Sequence, residues 1–236
     1  MILRKYIHEF ISAVSNKIIS SQFDLFLQLK RKATHDTIEY IEKNMANAMI
    51  LLSKEKNLEF SLNQTHVDGA FLEFGVATGK SIRFISKHVP HGKMVYGFDC
   101  FTGMPSNWTG TTVIKGQFKQ EQIPKVPTNV TLVPGYFGEI LPKFLDEHKE
   151  VISFMYIDSD LYSSAKTILE ALTDRIVQGT IIVFDEYFNY PNWKNHEFKA
   201  FQEFVTKNNI AYEYLSFTNQ ESVTVKIITE RNMHDE

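Results

Sequence analysis

A chain of 236 residues, 43% hydrophobic and 13% aromatic, holds enough apolar material for one sizeable core, and a single domain accounts for it better than two. Its 25 basic and 28 acidic side chains leave a formal charge of −3, which offers no electrostatic footprint for a polyphosphate and argues against generic nucleic-acid binding. The lone cysteine, Cys100, excludes an intrachain disulfide and a cysteine-built zinc site, so a cytoplasmic setting is expected rather than a secreted, disulfide-built scaffold.

From about Tyr6 to about Lys54, apolar residues recur at helical spacing: Ile7, Phe10, Ile11, Val14 and Ile18, then Ile38, Ile41, Met45 and Met49. Lys5, His8, Glu9 and Lys17 interrupt the first stretch, which reads as neither a signal peptide nor a membrane span. Residues 1–63 are therefore predicted to be a helical extension, packed on the core, forming a homodimer seam or covering a pocket. After Asn63, short β-like runs alternate with helical stretches, the one-dimensional signature of a βαβ series. Strands are predicted at about 70–74, 94–98, 129–133, 152–157 and 180–184, and their near-continuous apolar character suits parallel strands buried on both faces. Two later runs, about 211–215 and 222–228, flank the polar Thr218-Asn219-Gln220-Glu221 turn and predict an antiparallel hairpin at the sheet edge. The expected sheet has about seven strands, mostly parallel, within one α/β domain over residues 64–236.

In such a sheet, ligands lie beyond the carboxyl ends of the strands. The first of these positions is Leu72-Glu73-Phe74-Gly75-Val76-Ala77-Thr78-Gly79-Lys80-Ser81, a strand that runs through a glycine turn into a helix. A phosphate-cradling loop needs four residues between its glycines, and Gly75 and Gly79 enclose three; the dinucleotide fingerprint has glycine where Ala77 stands. Glu73 instead suits a ligand with a cationic amino group, which S-adenosylmethionine presents. A glycine turn without a ligand is the plain alternative. Asp99 ends the second strand, where a carboxylate can accept both hydroxyls of a ribose, although an aspartate there also serves as a turn former. Gly135, Tyr136 and Phe137 follow the third strand and are placed to flank an adenine or to fill the core.

The last two positions, Tyr156-Ile157-Asp158-Ser159-Asp160-Leu161-Tyr162 and Val183-Phe184-Asp185-Glu186-Tyr187, each end an apolar strand in two acidic residues. Four carboxylates at adjacent strand ends repel unless something cationic neutralises them, and hard oxygen donors suit Mg²⁺, Mn²⁺ or Ca²⁺ rather than zinc. Helix capping by Asp158 or Asp185 is the plain alternative. The loops Met104–Trp108 and Asn189–Trp193 carry aromatics that read equally as sugar-stacking surfaces and as buried anchors.

In order, E-F-G-V-A-T-G-K-S, F-D-C-F-T-G-M-P, P-G-Y-F, I-D-S-D-L-Y and F-D-E-Y resemble the class I S-adenosylmethionine-dependent methyltransferases, and more narrowly the macrocin-type sugar O-methyltransferases of antibiotic biosynthesis. The resemblance runs from about Gly69 to Ile228; its specific part is D-x-F-x-G-(L/M)-P together with I-D-x-D-(L/M)-Y. It implies a Rossmann-like sheet and a cofactor set in which Glu73, Gly75 and Gly79 surround the methionine end, Asp99 holds the ribose and Gly135, Tyr136 and Phe137 lie near adenine. Thr78, Ser81, Cys100, Phe101 and Asp158 complete that set. The resemblance also implies a divalent cation, Mg²⁺ first, at Asp158, Asp160, Asp185 and Glu186, bridging to hydroxyls of a sugar or another polar small molecule. Here the chain departs from its relatives: Asp185-Glu186 stands where many have Asp-Asp or Asp-Asn. The implied reaction is in-line transfer of a methyl group from sulfonium to oxygen, with Asp160 and His196 as candidate bases. Two other classes stay open at this stage, a nucleotide-dependent oxidoreductase or phosphotransferase and a non-catalytic binding protein on the same fold.

Overall fold

The computed structural model describes Tyr6 and residues 22–229. Of the N-terminal helical face, Ile7, Phe10, Ile11, Val14 and Ile18 lie outside the described residues. Helix α1 (Leu25–Asn44) begins at Asp24, whose carboxylate accepts the Leu27 N–H at 3.0 Å, and it ends before Met45, which is buried. The expected helical face does not continue to Met49. Met49–Leu51 form a short strand, β1, paired in parallel with Ser216–Thr218. Three residues are too few to show a strand period, and Met49 happens to keep the helical spacing of Met45, so only the partner strand reveals this element.

The remaining elements are α2 (Lys54–Leu62), β2 (Ala70–Phe74), α3 (Lys80–His88), β3 (Val95–Asp99), β4 (Val130–Pro134), α4 (Phe137–Glu147), β5 (Ile152–Ile157), α5 (Tyr162–Ala171), β6 (Ile181–Phe184), α6 (Glu197–Lys207), β7 (Tyr212–Thr218) and β8 (Val223–Ile227). They build an eight-stranded sheet ordered β1-β7-β8-β6-β5-β2-β3-β4, parallel except for β8, which runs antiparallel to both neighbours. The expected seven-stranded, mostly parallel sheet is therefore present, with β1 added at one edge. No helix of the described residues is long and apolar enough to cross a membrane.

Both faces of the sheet are covered. Leu58 and Leu62 of α2 and Ile82 and Ile85 of α3 pack on Phe71, Phe154 and Val183, while Leu141 and Phe144 of α4, Ile168 of α5 and Phe201 of α6 pack on Phe74, Phe98 and Phe184. Every residue of β5 and β6 is buried, as their unbroken apolar runs require. From β2 the chain winds outward through β3 and β4, then returns to place β5 on the other side of β2 and continues through β6. The crevice where that direction reverses lies between the ends of β2 and β5. Residues 100–129, between β3 and β4, form no helix or strand and fold over that crevice.

Candidate active site

Gly75 and Asp158 leave β2 and β5 side by side at this crevice. A Cβ on Gly75 would lie 1.7 Å from the Asp158 carbonyl oxygen, and the glycine has φ +93°, so two strand-end loops touch only because this residue has no side chain. The turn after Gly75 is held from β3. Asp99 Oδ2 accepts the Val76 N–H at 2.9 Å and the Ala77 N–H at 2.7 Å, and Oδ1 accepts the Phe101 N–H at 2.7 Å. A carboxylate offers about four lone-pair sites. Three are taken by backbone here, so the expected double contact from Asp99 to a ribose gives way to room for one. Asp99→Ala leaves three backbone donors without their acceptor; it is expected to lower stability by about 2–4 kcal/mol in urea titration. Unchanged stability would refute the clamp.

Beside the turn lies a cavity of about 340 Å³, lined by Gly75, Ala77, Asp99, Cys100, Gly135, Tyr136, Phe137, Asp158, Asp160 and Glu186, with Met104, Trp108 and Phe118 contributed by the loop above. Phe137 is braced edge-on against Phe74 at 5.7 Å, and the Tyr136 hydroxyl lies 3.2 Å from Thr102 Oγ1. Thr78 and Ser81 instead line a neighbouring cavity of about 490 Å³ against Lys54 and Leu58 of α2, which shares Ala77, Asp158 and Asp185 with the first. Gly79 caps α3 in a left-handed conformation, and the Phe101 ring is buried in the core. Glu73 faces neither cavity. Its side chain is fully buried, Oε1 accepts the Ser81 hydroxyl at 2.7 Å, and Oε2 has no partner. Burial holds its carboxyl well above the ordinary range, with the charges of Asp185 and Asp99 adding to the effect. A carboxyl sealed beneath the turn does not meet a ligand amino group in the cleft, contrary to the expectation for Glu73.

The acidic strand ends converge, but not as a set of four. Ligand oxygens of Asp158, Asp160 and Glu186 all lie within 4.8 Å of one another. Asp185 is diverted from them: Oδ1 accepts the Tyr156 hydroxyl at 2.6 Å, and Oδ2 is paired with the Lys54 ammonium. Lys54 also reaches Glu186 Oε1 at 3.4 Å. Burial pushes the carboxyls of Asp158, Asp160 and Glu186 up, and the charge of Asp185 is the next largest cause for each; Asp160 reaches about 7. Burial works against the charge on Lys54, yet Glu186 and Asp185 outweigh it and raise its pKa overall.

Glu197 follows no strand end, and local pattern does not mark it. This buried carboxylate, on the first residue of α6, accepts the N–H groups of Ser159 at 3.0 Å and Asp160 at 3.1 Å, and so holds Asp160 in its left-handed conformation at φ +60°. Only its position beside His196, after an aromatic loop, hinted at a role.

Carboxyls whose pKa is raised by folding favour the protonated protein. The stability they contribute is complete below about pH 4, the unfolded carboxylate value, and is lost as the pH climbs through the raised value, about 7 for Asp160. The thermal midpoint is therefore expected to fall between pH 6 and pH 8. A midpoint that rises over this interval would contradict the buried-acid description.

His196 does not line the cavity. Its Nε2–H donates to the Thr109 carbonyl at 2.8 Å, while Nδ1 is buried without a partner, and burial lowers its pKa. With Asn192 Nδ2 donating to Thr109 Oγ1 at 3.0 Å, the ring fastens the 104–110 loop to the segment after β6. This replaces the expected base with a loop pin. The Asn189–Trp193 aromatics are anchors: Tyr190 is buried, and so is Trp193, edge-on to Phe198 at 4.8 Å. Of the aromatics in these two loops, Trp108 is the one that lines the cavity, and its Nε1 lacks a partner.

Residues 72–187 match a family described as a methyltransferase domain. Among curated proteins, the chain is similar to the 8-demethyl-8-(2,3-dimethoxy-alpha-L-rhamnosyl)-tetracenomycin-C 4'-O-methyltransferase of Streptomyces olivaceus, at 25% identity over 169 residues. The match covers 61% of this chain and 64% of that protein, so it spans less than two thirds of the relative's length. Among solved structures, CalS11, a calicheamicin methyltransferase, is 25% identical with a TM-score of 0.58, covering 73% of this chain and 76% of that one. The O-methyltransferase NovP shares the fold, at 20% identity and a TM-score of 0.56, over 75% of this chain and 80% of that one. The switch-point glycine, the acidic strand ends and these likenesses lead to one assignment: residues 72–187 carry a methyltransferase domain.

Proposed function

We propose that the protein is an S-adenosylmethionine-dependent O-methyltransferase that methylates a hydroxyl of a sugar or a comparable polyhydroxylated small molecule, with a divalent cation at Asp158, Asp160 and Glu186. The observation that carries this reading is a single cavity lined at one end by Asp99, Gly135 and Tyr136 and at the other by Asp158, Asp160 and Glu186. A nucleoside held at the first end brings its sulfonium towards the second, where a hydroxyl can be positioned for in-line attack. Relatives whose names specify rhamnosyl or calicheamicin methylation support the choice of a sugar acceptor.

The acidic residues fit a hard cation. They supply only oxygen donors, and Glu186 Oε2 is buried without a partner. Bound Mg²⁺, Mn²⁺ or Ca²⁺ supplies Lewis acidity that makes an acceptor hydroxyl easier to deprotonate. The protein's own residues do the rest. Gly75 and the Asp99 clamp shape the cofactor turn, Tyr136 and Phe137 offer flat faces to a base, and Asp160 is placed to take the hydroxyl proton. His196 and Glu197 keep the two flanking segments in register.

The test is calorimetry with S-adenosylhomocysteine, followed by mass spectrometry of nucleotide-linked and free rhamnose-type sugars incubated with S-adenosylmethionine. Saturable cofactor binding and one added methyl group are expected. Binding of NAD or ATP in place of S-adenosylhomocysteine would overturn the proposal in favour of a nucleotide-dependent enzyme. Cofactor binding without turnover of any hydroxylated acceptor would favour a binding protein.

A further inference from the structure

Lys54 is out of place as an ordinary helix residue. It opens α2, where the helix dipole disfavours a cation, and its backbone position is fixed by Ser53, whose hydroxyl oxygen accepts the Lys56 N–H at 3.2 Å. Its side chain crosses to the end of β6, 131 residues away in sequence, and bonds Asp185 and, at 3.4 Å, Glu186. Five carboxyls crowd this corner: Asp160, Asp185 and Glu197 are buried, and Asp158 and Glu186 are partly so. The nearby cations are committed elsewhere: Lys80 pairs with Glu55 at 2.9 Å, and Arg83 donates to the carbonyls of Thr78 and Lys125. The ammonium of Lys54 is thus the cation that the described chain itself brings into contact with the cluster, and with the Tyr156 hydroxyl it occupies both oxygens of Asp185.

We infer that Lys54 is a built-in counter-cation that competes with the divalent ion for Glu186 and keeps Asp185 turned away from it, so that loading the metal requires the ammonium to give up its bond to Glu186. The inference rests on the reading of the acidic cluster as a cation site and concerns how that site is held before it is filled. Two carboxylates that would otherwise repel their neighbours are kept together by a charge on the N-terminal segment, at the expense of metal affinity. A neutral side chain of similar length removes the competitor and leaves the acids in place.

The experiment measures Mn²⁺ binding to the cofactor-free, full-length protein by electron paramagnetic resonance of the free ion, with circular dichroism as the folding control. Lys54→Met is expected to bind Mn²⁺ tighter by about tenfold or more, because no charge-assisted hydrogen bond has to be broken first. Lys54→Arg, which keeps the charge, is expected to stay within about threefold of wild type. A folded Lys54→Met protein whose Mn²⁺ affinity is unchanged or weaker overturns the inference while leaving the cation site intact. Binding by neither wild type nor variant overturns both the inference and the cation site. Binding by the variant alone supports the inference in its strongest form. Lys54→Gln serves the same comparison if the methionine variant does not fold.

Discussion

Gly75→Ala is expected to lower stability by about 3 kcal/mol or more and to abolish binding of S-adenosylhomocysteine. The added methyl would sit 1.7 Å from the Asp158 carbonyl oxygen and 2.8 Å from its carbon. These are backbone atoms, so no rotamer change relieves the overlap. The strands behind them cannot separate, because β2 and β5 are interior neighbours paired from Ala70↔Ile152 to Phe74↔Ile157. What must move is the turn itself, and with it the N–H groups of Val76 and Ala77 that Asp99 holds. Gly92→Ala separates the two sources of cost. Its φ of +84° is similarly unfavourable to a side chain, but nothing lies within 4 Å of the added atom, so a loss of only about 1 kcal/mol is expected there. Urea titration of both variants, with calorimetry on the folded ones, makes the comparison. A Gly75→Ala protein no less stable than Gly92→Ala would show that the two loops do not touch as described.

Asp160→Asn is expected to reduce kcat by about 10²–10⁴, the usual contribution of a positioned base, with S-adenosylhomocysteine affinity nearly unchanged at saturating Mn²⁺. The substitution keeps the local backbone, and saturating Mn²⁺ offsets the weaker cation ligand that asparagine makes. Asparagine tolerates the left-handed conformation that this position adopts, and the N–H bond to Glu197 does not depend on the side chain. What disappears is a proton-accepting oxygen of the acidic cluster. His196→Asn provides the contrast: its ring fastens loops rather than facing the cavity, so its loss is expected to act chiefly through KM. Retention of full kcat by Asp160→Asn, measured on an acceptor found by the mass-spectrometric screen, would remove Asp160 from the proton-transfer role.

Much of the framework was legible from local pattern. The runs ISFMYI and TIIVF are apolar without alternation because β5 and β6 are covered on both faces, and that requirement is written in each residue's own side chain. Gly75, Asp99, Asp158, Asp160, Asp185 and Glu186 were located by a similar argument: in a parallel sheet, whatever follows a strand's carboxyl end lies at the crevice, whichever strands turn out to be neighbours.

The partners of those residues were another matter. Whether Asp99 meets a ribose or clamps the glycine turn depends on β3 lying beside β2. Whether Asp185 joins a metal or a lysine depends on α2 packing over β6, and Glu197 matters only because α6 returns to the loop after β5. β1 exists only because β7 offers it an edge. The amino-acid sequence by itself determined which chemical groups stand at the strand ends, since burial and backbone period are properties of a short segment. Tertiary structure alone decided which of those groups remain free for a ligand, because hydrogen bonds and ion pairs between distant segments fill a carboxylate's oxygens, and the strand order sets which segments meet.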